Sequence, residues 1–256
     1  MVFPKVDILG VKVASLTMEE AVAQAETYMK ERTGAIIATA NAEMIMRAVK
    51  DEELRRILNT VALVVPDGAG TVWAARYLGC VMPERVAGFD LVQELLRRAP
   101  ARQQRVFFLG AAPGIAEAAK NKAEVLYPGV SIVGTRDGYF TPEEEPAIVT
   151  AIQDANPDLL LVALGVPRQE KWLAKYRKAI GVPLSIGVGG TFDVMAGMVK
   201  RAPRWMQRSR LEWLYRGFAQ PQRIGRLMAL PQFVWRVRSA KTVDKGQGPV
   251  YNVYKS

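Results

Sequence analysis

An acidic side chain stands directly after an apolar stretch that has the length and composition of a buried strand. Asp67 follows ALVVP (62–66) and is itself followed by Gly68, Ala69 and Gly70. A carboxylate exposed among small residues at the end of a strand is well placed to accept the proton of an alcohol as a general base. The alternative is that Asp67 caps the helix predicted to follow, because the helix dipole stabilises an acidic group at that end.

Polar or glycine-rich turns follow four further apolar stretches. Thr39 and Asn41 lie at the end of AIIATA (35–40), and capping of the next helix is the simpler explanation for Asn41. Glycine lets the backbone of such turns approach a ligand closely, and the N–H groups of the turn can hold a phosphate or a ribose. The residues concerned are Thr39, Asn41, Gly110, Pro113, Gly114, Gly165, Arg168, Gln169, Gly187, Gly189 and Gly190.

The composition removes several kinds of chemistry. The chain has 256 residues, no histidine and a single cysteine, Cys80. Imidazole catalysis, histidine metal sites, an intramolecular disulfide and a cysteine zinc cluster are therefore excluded, and a carboxylate is the best remaining general base. The chain also lacks a GxxxxGK[ST] phosphate loop, a GxGxxG fingerprint and an Asp-x-Asp pair. These absences disfavour P-loop chemistry, nicotinamide-dependent dehydrogenation and a metal clamp on a diphosphate.

Residues 1–199 alternate between strand and helix patterns, which predicts one α/β catalytic domain. The intervening segments have helical periodicity, including one helix over 44–58, and Thr17 with Glu20 forms a capping-box signature. Short strands that are apolar on both faces and separated by helices predict a Rossmann-like, mostly parallel sheet flanked by helices. Such a sheet binds ligands beyond the carboxyl ends of its strands. After a hairpin at 8–13, the predicted strands are 35–40, 62–66, 105–110, 130–135, 158–165 and 183–190.

Residues 200–256 form a basic C-terminal appendage. Residues 1–199 contain 22 basic and 23 acidic side chains, whereas the appendage contains 13 basic side chains and only Glu212 and Asp244 as acids. Basic residues interleaved with aromatic ones are typical of proteins that bind an anionic membrane surface or a phosphate-rich ligand. A nucleic-acid-binding module and a merely solvated basic surface are the alternatives.

The appendage is predicted to be helical up to about residue 241 and polar beyond it. We expect Pro221 and Pro231 to break it into short helices. An apolar stripe at helical spacing is formed by Leu211, Leu214, Tyr215 and Phe218.

No stretch of the chain reaches 18 consecutive apolar residues, and the first ten residues lack the features of a secretory signal. We therefore expect a cytoplasmic protein without a membrane-spanning segment. Attachment to a membrane surface remains compatible with the sequence.

Six blocks of this sequence, taken in order, resemble the WecG/TagA/CpsF glycosyltransferases, which are glycosyltransferase family 26. The resemblance covers about residues 6 to 235, and the most similar branch is that of the TagA enzymes. Each block alone is weak, but six in the same order are highly specific. The blocks are TANAEM (39–44), VVPDGAG (64–70), RVAGFDL (85–91), FFLGAAPG (107–114), ALGVPRQEKW (163–172) and GVGGTFDVMAGMVKRAPRWMQRSRLEWLYR (187–216).

The resemblance implies an inverting, metal-independent and cofactor-free transfer of N-acetylmannosamine. The donor would be UDP-ManNAc and the acceptor undecaprenyl-diphosphate-linked GlcNAc, at the inner face of the cell membrane during wall teichoic acid synthesis. Relatives with the same motifs use N-acetylmannosaminuronic acid or glucose, so these donors are the alternatives. A homo-oligomer is compatible with the sequence, and binding of nucleic acid is not expected.

The resemblance also assigns roles to individual residues. Asp67 matches the proposed catalytic base of the family. The arginines thought to complete the site over the diphosphate match Arg216, Arg223 and Arg226. The remaining positions that we expect to bind substrate are Thr39, Asn41, Arg85, Gly110, Gln169, Gly189 and Gly190.

Overall fold

The computed structural model describes residues 2–199, 202–203, 206 and 229–243. Strands β1 (Lys5–Ile8) and β2 (Val11–Ala14) form the predicted antiparallel hairpin. The other six strands form one parallel sheet: β3 (Ala35–Ala40), β4 (Leu63–Pro66), β5 (Arg105–Gly110), β6 (Ser131–Arg136), β7 (Leu159–Ala163) and β8 (Leu184–Gly187). Their order across the sheet is β4-β3-β8-β7-β5-β6. This arrangement confirms the predicted α/β class.

Helices connect the strands and cover both faces of the sheet. Short 3-10 helices also occur at Pro100–Arg102 and Pro142–Glu144. The α-helices of the described residues are α1 (Met18–Lys30), α2 (Ala42–Lys50), α3 (Glu52–Thr60), α4 (Ala69–Tyr77), α5 (Gly88–Arg98), α6 (Ile115–Leu126), α7 (Glu145–Ala155), α8 (Arg168–Ile180), α9 (Thr191–Met195) and α10 (Ala229–Val243).

Local side-chain chemistry sets two of the helix boundaries. The predicted capping box is confirmed, because the Thr17 N–H donates to Glu20 Oε2 at 2.7 Å and the Glu20 N–H donates to Thr17 Oγ1 at 3.2 Å. The single helix expected over 44–58 is wrong. Asp51 interrupts it with an extended backbone, and its Oδ1 accepts from the Leu54 N–H at 3.0 Å to begin α3. An aspartate side chain competes for backbone N–H groups in this way and favours a cap over a helix interior.

The two faces of the sheet pack against different sets of helices. Alternate residues of a strand point to opposite faces. On β3, Ile37 packs in a core with α1, α5, α6 and α9, whereas Ile36 and Ala38 face the side covered by α2, α3, α4, α7 and α8. The strands are therefore buried on both faces, which explains their continuous apolar sequences.

Helix α10 belongs to the predicted appendage and packs on the α/β domain. Phe233 and Val237 are fully buried in the core that α2 and α4 share. Leu230 lies over Gly70, where an added Cβ would be 3.2 Å from Leu230 Cδ2. The expectation that Pro231 breaks the helix is wrong, because Pro231 is the third residue of α10. Proline is tolerated in a first turn, where its missing N–H has no partner within the helix.

The remaining predictions for the appendage lie outside the described residues. They are the domain boundary between residues 199 and 200, the break at Pro221, the stripe that begins at Leu211, and the polar end of the chain. Within the ranges that are described, none of the helices is long and apolar enough to cross a bilayer.

Candidate active site

The topology opens crevices at the carboxyl edge, the side of the sheet where the carboxyl ends of its parallel strands lie. The chain leaves β3 and β7 toward helices on one face, α2 and α8, whereas it leaves β8, which lies between them, toward α9 on the other face. Neighbouring strands that send the chain to opposite faces leave a gap between their following loops, and α/β proteins bind ligands there.

Asn41 and Asp67 stand side by side at this edge. The Asp67 N–H donates to the Ala40 carbonyl at 2.9 Å, which places the end of β4 against the end of β3. Asn41 caps α2, because its Oδ1 accepts from the Met44 N–H at 2.9 Å. The capping role predicted for Asn41 is therefore confirmed. The N-cap of α4 is Gly68, whose φ is +84°. Asp67 therefore precedes the cap residue, and it is half-buried at the carboxyl end of β4.

Arg85 lies in a loop that is attached to the same strand end. The Val86 N–H donates to the Pro66 carbonyl at 3.0 Å, so the loop runs beside the residue that precedes Asp67. The Arg85 guanidinium is 3.8 Å from Asp90 Oδ2 in the first turn of α5, and one quarter of the Arg85 side chain is exposed. The structure thus brings a cation and the candidate base to one end of β4.

Thr39, which lies one residue before the end of β3, is buried. Its Oγ1 donates to the Gly187 carbonyl at 3.2 Å and so ties β3 to β8. A Cβ at Gly88 would be 3.0 Å from Thr39 Cγ2, so the N-terminus of α5 covers the threonine. Thr39 therefore supports the strand ends, and its contact with substrate stays a prediction.

The predicted glycines divide into two kinds. At Gly110 (φ +122°), an added Cβ would be 2.5 Å from the carbonyl carbon and oxygen of Ala163, so this glycine allows β5 and β7 to approach each other. Gly165 and Gly189 also have positive φ, but an added Cβ would have no neighbour within 4 Å. Gly190 is the N-cap of α9. The space beside the backbone is thus open in the loops that follow β7 and β8, and also at Gly114 in the turn after β5.

Gln169, which is 1% exposed, bridges those two loops. Its Oε1 accepts from the Gly165 N–H at 3.2 Å and from the Gly189 N–H at 3.1 Å. Its Nε2 donates to Glu170 Oε1 at 2.7 Å. Gln169 therefore sets the separation of two loops whose backbones are open to a ligand.

Glu170 is a buried acidic residue beside Gln169 that was not predicted from the sequence. It is 3% exposed, and its Oε2 has no hydrogen-bond partner among the described residues. Burial raises the pKa of this carboxyl from its usual value near 4.5 to about 7, against smaller opposing effects of the Gln169 hydrogen bond and the Arg47 charge. Helical spacing could have revealed it, because Glu170 is three residues before the buried Leu173 and shares its face of α8.

Arg168 opens α8 but turns away from the crevice. Its guanidinium donates to the carbonyls of Gly138 at 2.8 Å and Phe140 at 3.2 Å, and lies 4.5 Å from the centre of the Phe140 ring. These contacts hold the loop after β6 to α8, which is a structural task.

The structure describes parts of the chain before and after the predicted arginines in sequence. Arg216, Arg223 and Arg226 lie outside the described residues. Before them, α9 follows β8 at the carboxyl edge, and after them Leu230 contacts the first turn of α4 next to Asp67. Over the parts of the chain that the structure describes, no three acidic or cysteine side chains are grouped as a metal site would require.

Comparison with known proteins identifies the family of this chain. Residues 6–247 match the model of the Glycosyl transferase WecG/TagA/CpsF family. A Bacillus subtilis protein named N-acetylglucosaminyldiphosphoundecaprenol N-acetyl-beta-D-mannosaminyltransferase is 38% identical over 210 residues, covering 82% of this chain and 81% of the relative. A Staphylococcus aureus protein of the same name is 34% identical over 239 residues, covering 93% of each chain. This chain therefore belongs to the WecG/TagA/CpsF family of glycosyltransferases.

Proposed function

We propose that this protein transfers N-acetylmannosamine from UDP-ManNAc to undecaprenyl-diphosphate-linked GlcNAc, forming a β-1,4 bond in the linkage unit of wall teichoic acid. The names of the two relatives include the same acceptor and the same transferred sugar. The observation that carries the proposal is the position of Asp67, half-buried at the carboxyl end of β4 beside Asn41, in a chain that matches the family from residue 6 to 247.

The proposed reaction is a single displacement with Asp67 as the general base. The Asp67 carboxylate takes the proton of the acceptor hydroxyl as that oxygen forms a bond to the anomeric carbon of the sugar. The bond from this carbon to the β-phosphate oxygen breaks, and UDP leaves with the electron pair. Attack from the side opposite the leaving group inverts the anomeric centre. A positioned base typically contributes about 10²–10⁴-fold to the rate of such a step.

The departing UDP carries negative charge that needs a partner. We assign this task to Arg216, Arg223 and Arg226, because a guanidinium can bind a diphosphate through paired hydrogen bonds. The described residues on either side of this segment both lie at the carboxyl edge, which supports the assignment. The transfer then needs no metal, since arginines supply the charge that a metal ion supplies in other transferases.

The neutral part of the donor would lie along the loops after β7 and β8. Gly165 and Gly189 leave open space there, and Gln169 holds their backbones at a fixed separation. Asn41 and Arg85, which adjoin the two strand ends nearest Asp67, would contact the sugar or the acceptor diphosphate. Thr39 and Gly110 would act by supporting these strand ends.

The appendage would attach the enzyme to the inner face of the cell membrane, where its lipid acceptor is found. Helix α10 is anchored to the domain by Phe233 and Val237 and presents the other side to solvent, with Trp235 68% exposed between the exposed residues Arg236 and Gln232. Tryptophan prefers the headgroup region of a bilayer. A basic residue near an anionic surface adds about 1 kcal/mol of attraction.

The test is release of UDP on mixing the protein with a lipid-linked GlcNAc analogue and, in parallel, UDP-ManNAc, UDP-ManNAcA or UDP-glucose. We expect UDP-ManNAc to react fastest. Asp67→Asn should lower kcat by about 10²–10⁴-fold with donor binding and thermal stability close to wild type. Asp154→Asn, the same change on the exposed face of α7, is the matched control. Turnover of Asp67→Asn at the wild-type rate would refute the assignment of the base, and preference for another donor would refute the assignment of the sugar.

A further inference from the structure

We infer that Glu170 is a positioning residue: its side chain fixes the orientation of the Gln169 amide, and through this amide it sets the two glycine loops that receive the nucleotide sugar. The identity of the ligand in this inference rests on the proposed function, whereas the contacts of Glu170 do not. Each step depends on a hydrogen bond or a close approach among described residues.

The first step is the polarity of the Gln169 amide. Its Oε1 accepts from two backbone N–H groups, those of Gly165 and Gly189. A rotation of the amide by half a turn would place its NH2 group against these two N–H donors. The two backbone N–H groups and the NH2 group would then all lack an acceptor. The two backbone donors at one end of the amide and an acceptor at its other end together specify the observed orientation, and Glu170 Oε1 supplies this acceptor at 2.7 Å.

The second step is that the fold makes room for this pair. Both side chains lie over Gly187, the last residue of β8, where an added Cβ would be 2.7 Å from Gln169 Nε2 and 3.1 Å from Glu170 Oε1. Any other residue at this position would displace the amide or the carboxyl group. Glycine at position 187 therefore makes room for the Gln169–Glu170 pair. The glycines that we expect to face the ligand are Gly165 and Gly189, whose N–H groups donate to Gln169.

The third step concerns the state of the Glu170 carboxyl group. Its Oε2 is buried without a partner among the described residues, and an unpaired buried charge is costly. Burial accordingly raises the pKa of Glu170 to about 7. The neutral carboxyl group accepts from Gln169 through Oε1 and buries no charge. The ionised carboxylate is a stronger acceptor for the Gln169 NH2 group, so the geometry of the pair depends on the charge of Glu170.

The charged groups on the helices around Glu170 are engaged in ion pairs with other side chains. Arg47 on α2 is the cation whose charge acts on Glu170, and its guanidinium donates to the Val166 carbonyl at 3.1 Å and to Glu43 Oε1 at 3.0 Å. On α3, Asp51 and Glu53 both engage Lys171. On α7, Glu145 engages Lys175. The neighbouring parts of β3 and β8 carry no charged side chain.

The amide resonances of Gly165 and Gly189 report on the pair without any substrate. In assigned ¹H–¹⁵N spectra of the whole protein, we expect both resonances to move together with a midpoint near pH 7. In Glu170→Gln, which keeps an acceptor for Gln169 but does not ionise, both should stay fixed over the same pH range. The exposed Glu124→Gln on α6 is the matched control and should keep the wild-type titration. Two resonances that do not titrate in the wild type, or that titrate equally in Glu170→Gln, would overturn the inference.

Kinetics then show whether the loops matter for transfer. We expect Glu170→Ala, which removes the acceptor, to lower kcat/KM by about 10–100-fold, as small errors in position do, and Glu170→Gln to recover most of that loss. If Glu170→Ala does not fold, the pH profile of Glu170→Gln replaces it, and this profile should be flatter than that of the wild type between pH 6 and 8. Equal losses in the two variants, or an unchanged profile, would count against positioning. A wild-type enzyme that releases no UDP would instead refute the proposed function, and the glycine titrations would still decide the role of Glu170.

Discussion

Replacing Glu170 with glutamine should change how the stability of the protein depends on pH. The folded protein holds the Glu170 proton with a pKa of about 7, compared with 4.5 for the free side chain. Between these values the folded state binds more protons than the unfolded state, so the free energy of unfolding falls as pH rises. The stabilisation is fully present below pH 4.5 and is lost above about pH 7.

The expected magnitude follows from the two pKa values. One unit of pKa difference corresponds to about 1.4 kcal/mol, so the whole shift is worth about 3 kcal/mol. About 2 kcal/mol of it is lost between pH 5.5 and 7.5. The chain contains no histidine, so no imidazole titrates in this window. The acids whose pKa is lowered, Glu19, Asp51, Glu143 and Glu145, affect stability only at lower pH.

Urea unfolding at pH 5.5, 6.5 and 7.5 measures this effect. We expect the wild type to lose about 2 kcal/mol relative to Glu170→Gln across this range, with equal urea m-values for the two proteins. Glu124→Gln, an exposed change on α6, should follow the wild-type curve. Parallel curves for wild type and Glu170→Gln would mean that the carboxyl group is ionised in the folded protein, and the burial argument would then be wrong.

Two further predictions concern α10. Phe233→Ala removes a fully buried ring between α10 and the domain, and we expect a loss of about 3–5 kcal/mol and faster proteolysis within α10, measured by urea unfolding and limited digestion. Trp235→Ala on the exposed face should change stability by less than about 0.5 kcal/mol but weaken flotation with vesicles rich in phosphatidylglycerol. Equal stability losses in the two variants would contradict the packing of α10, and equal flotation of wild type and Trp235→Ala would contradict a membrane role for its exposed face.

Much of the site could be found from the sequence because polar groups at strand ends are visible as breaks in apolar stretches. Asp67 follows a run of four buried residues, and its neighbour Asn41 follows a run of six. A parallel sheet brings such breaks to one edge, whatever the order of the strands. The capping role of Asn41 could be predicted for the same reason, since caps depend on a few neighbouring residues.

The sequence was less informative about which glycines face a ligand. Gly110 and Gly189 look alike as members of glycine-rich turns. Gly110 is needed because β5 and β7 approach each other closely, and Gly189 stands beside open space. The difference depends on which strands are neighbours, and strand order is not written in any local pattern.

The amino-acid sequence by itself determined the alternation of strands and helices, the absence of imidazole chemistry and the acidic group at the end of β4. These properties depend on composition and on short-range periodicity. Only the tertiary structure decided that Gln169 joins two loops, that Glu170 is buried with an oxygen unpaired among the described residues, and that α10 packs on α2 and α4. These features arise from contacts between residues that are distant along the chain, where burial and the positions of neighbouring groups control hydrogen bonding and ionisation.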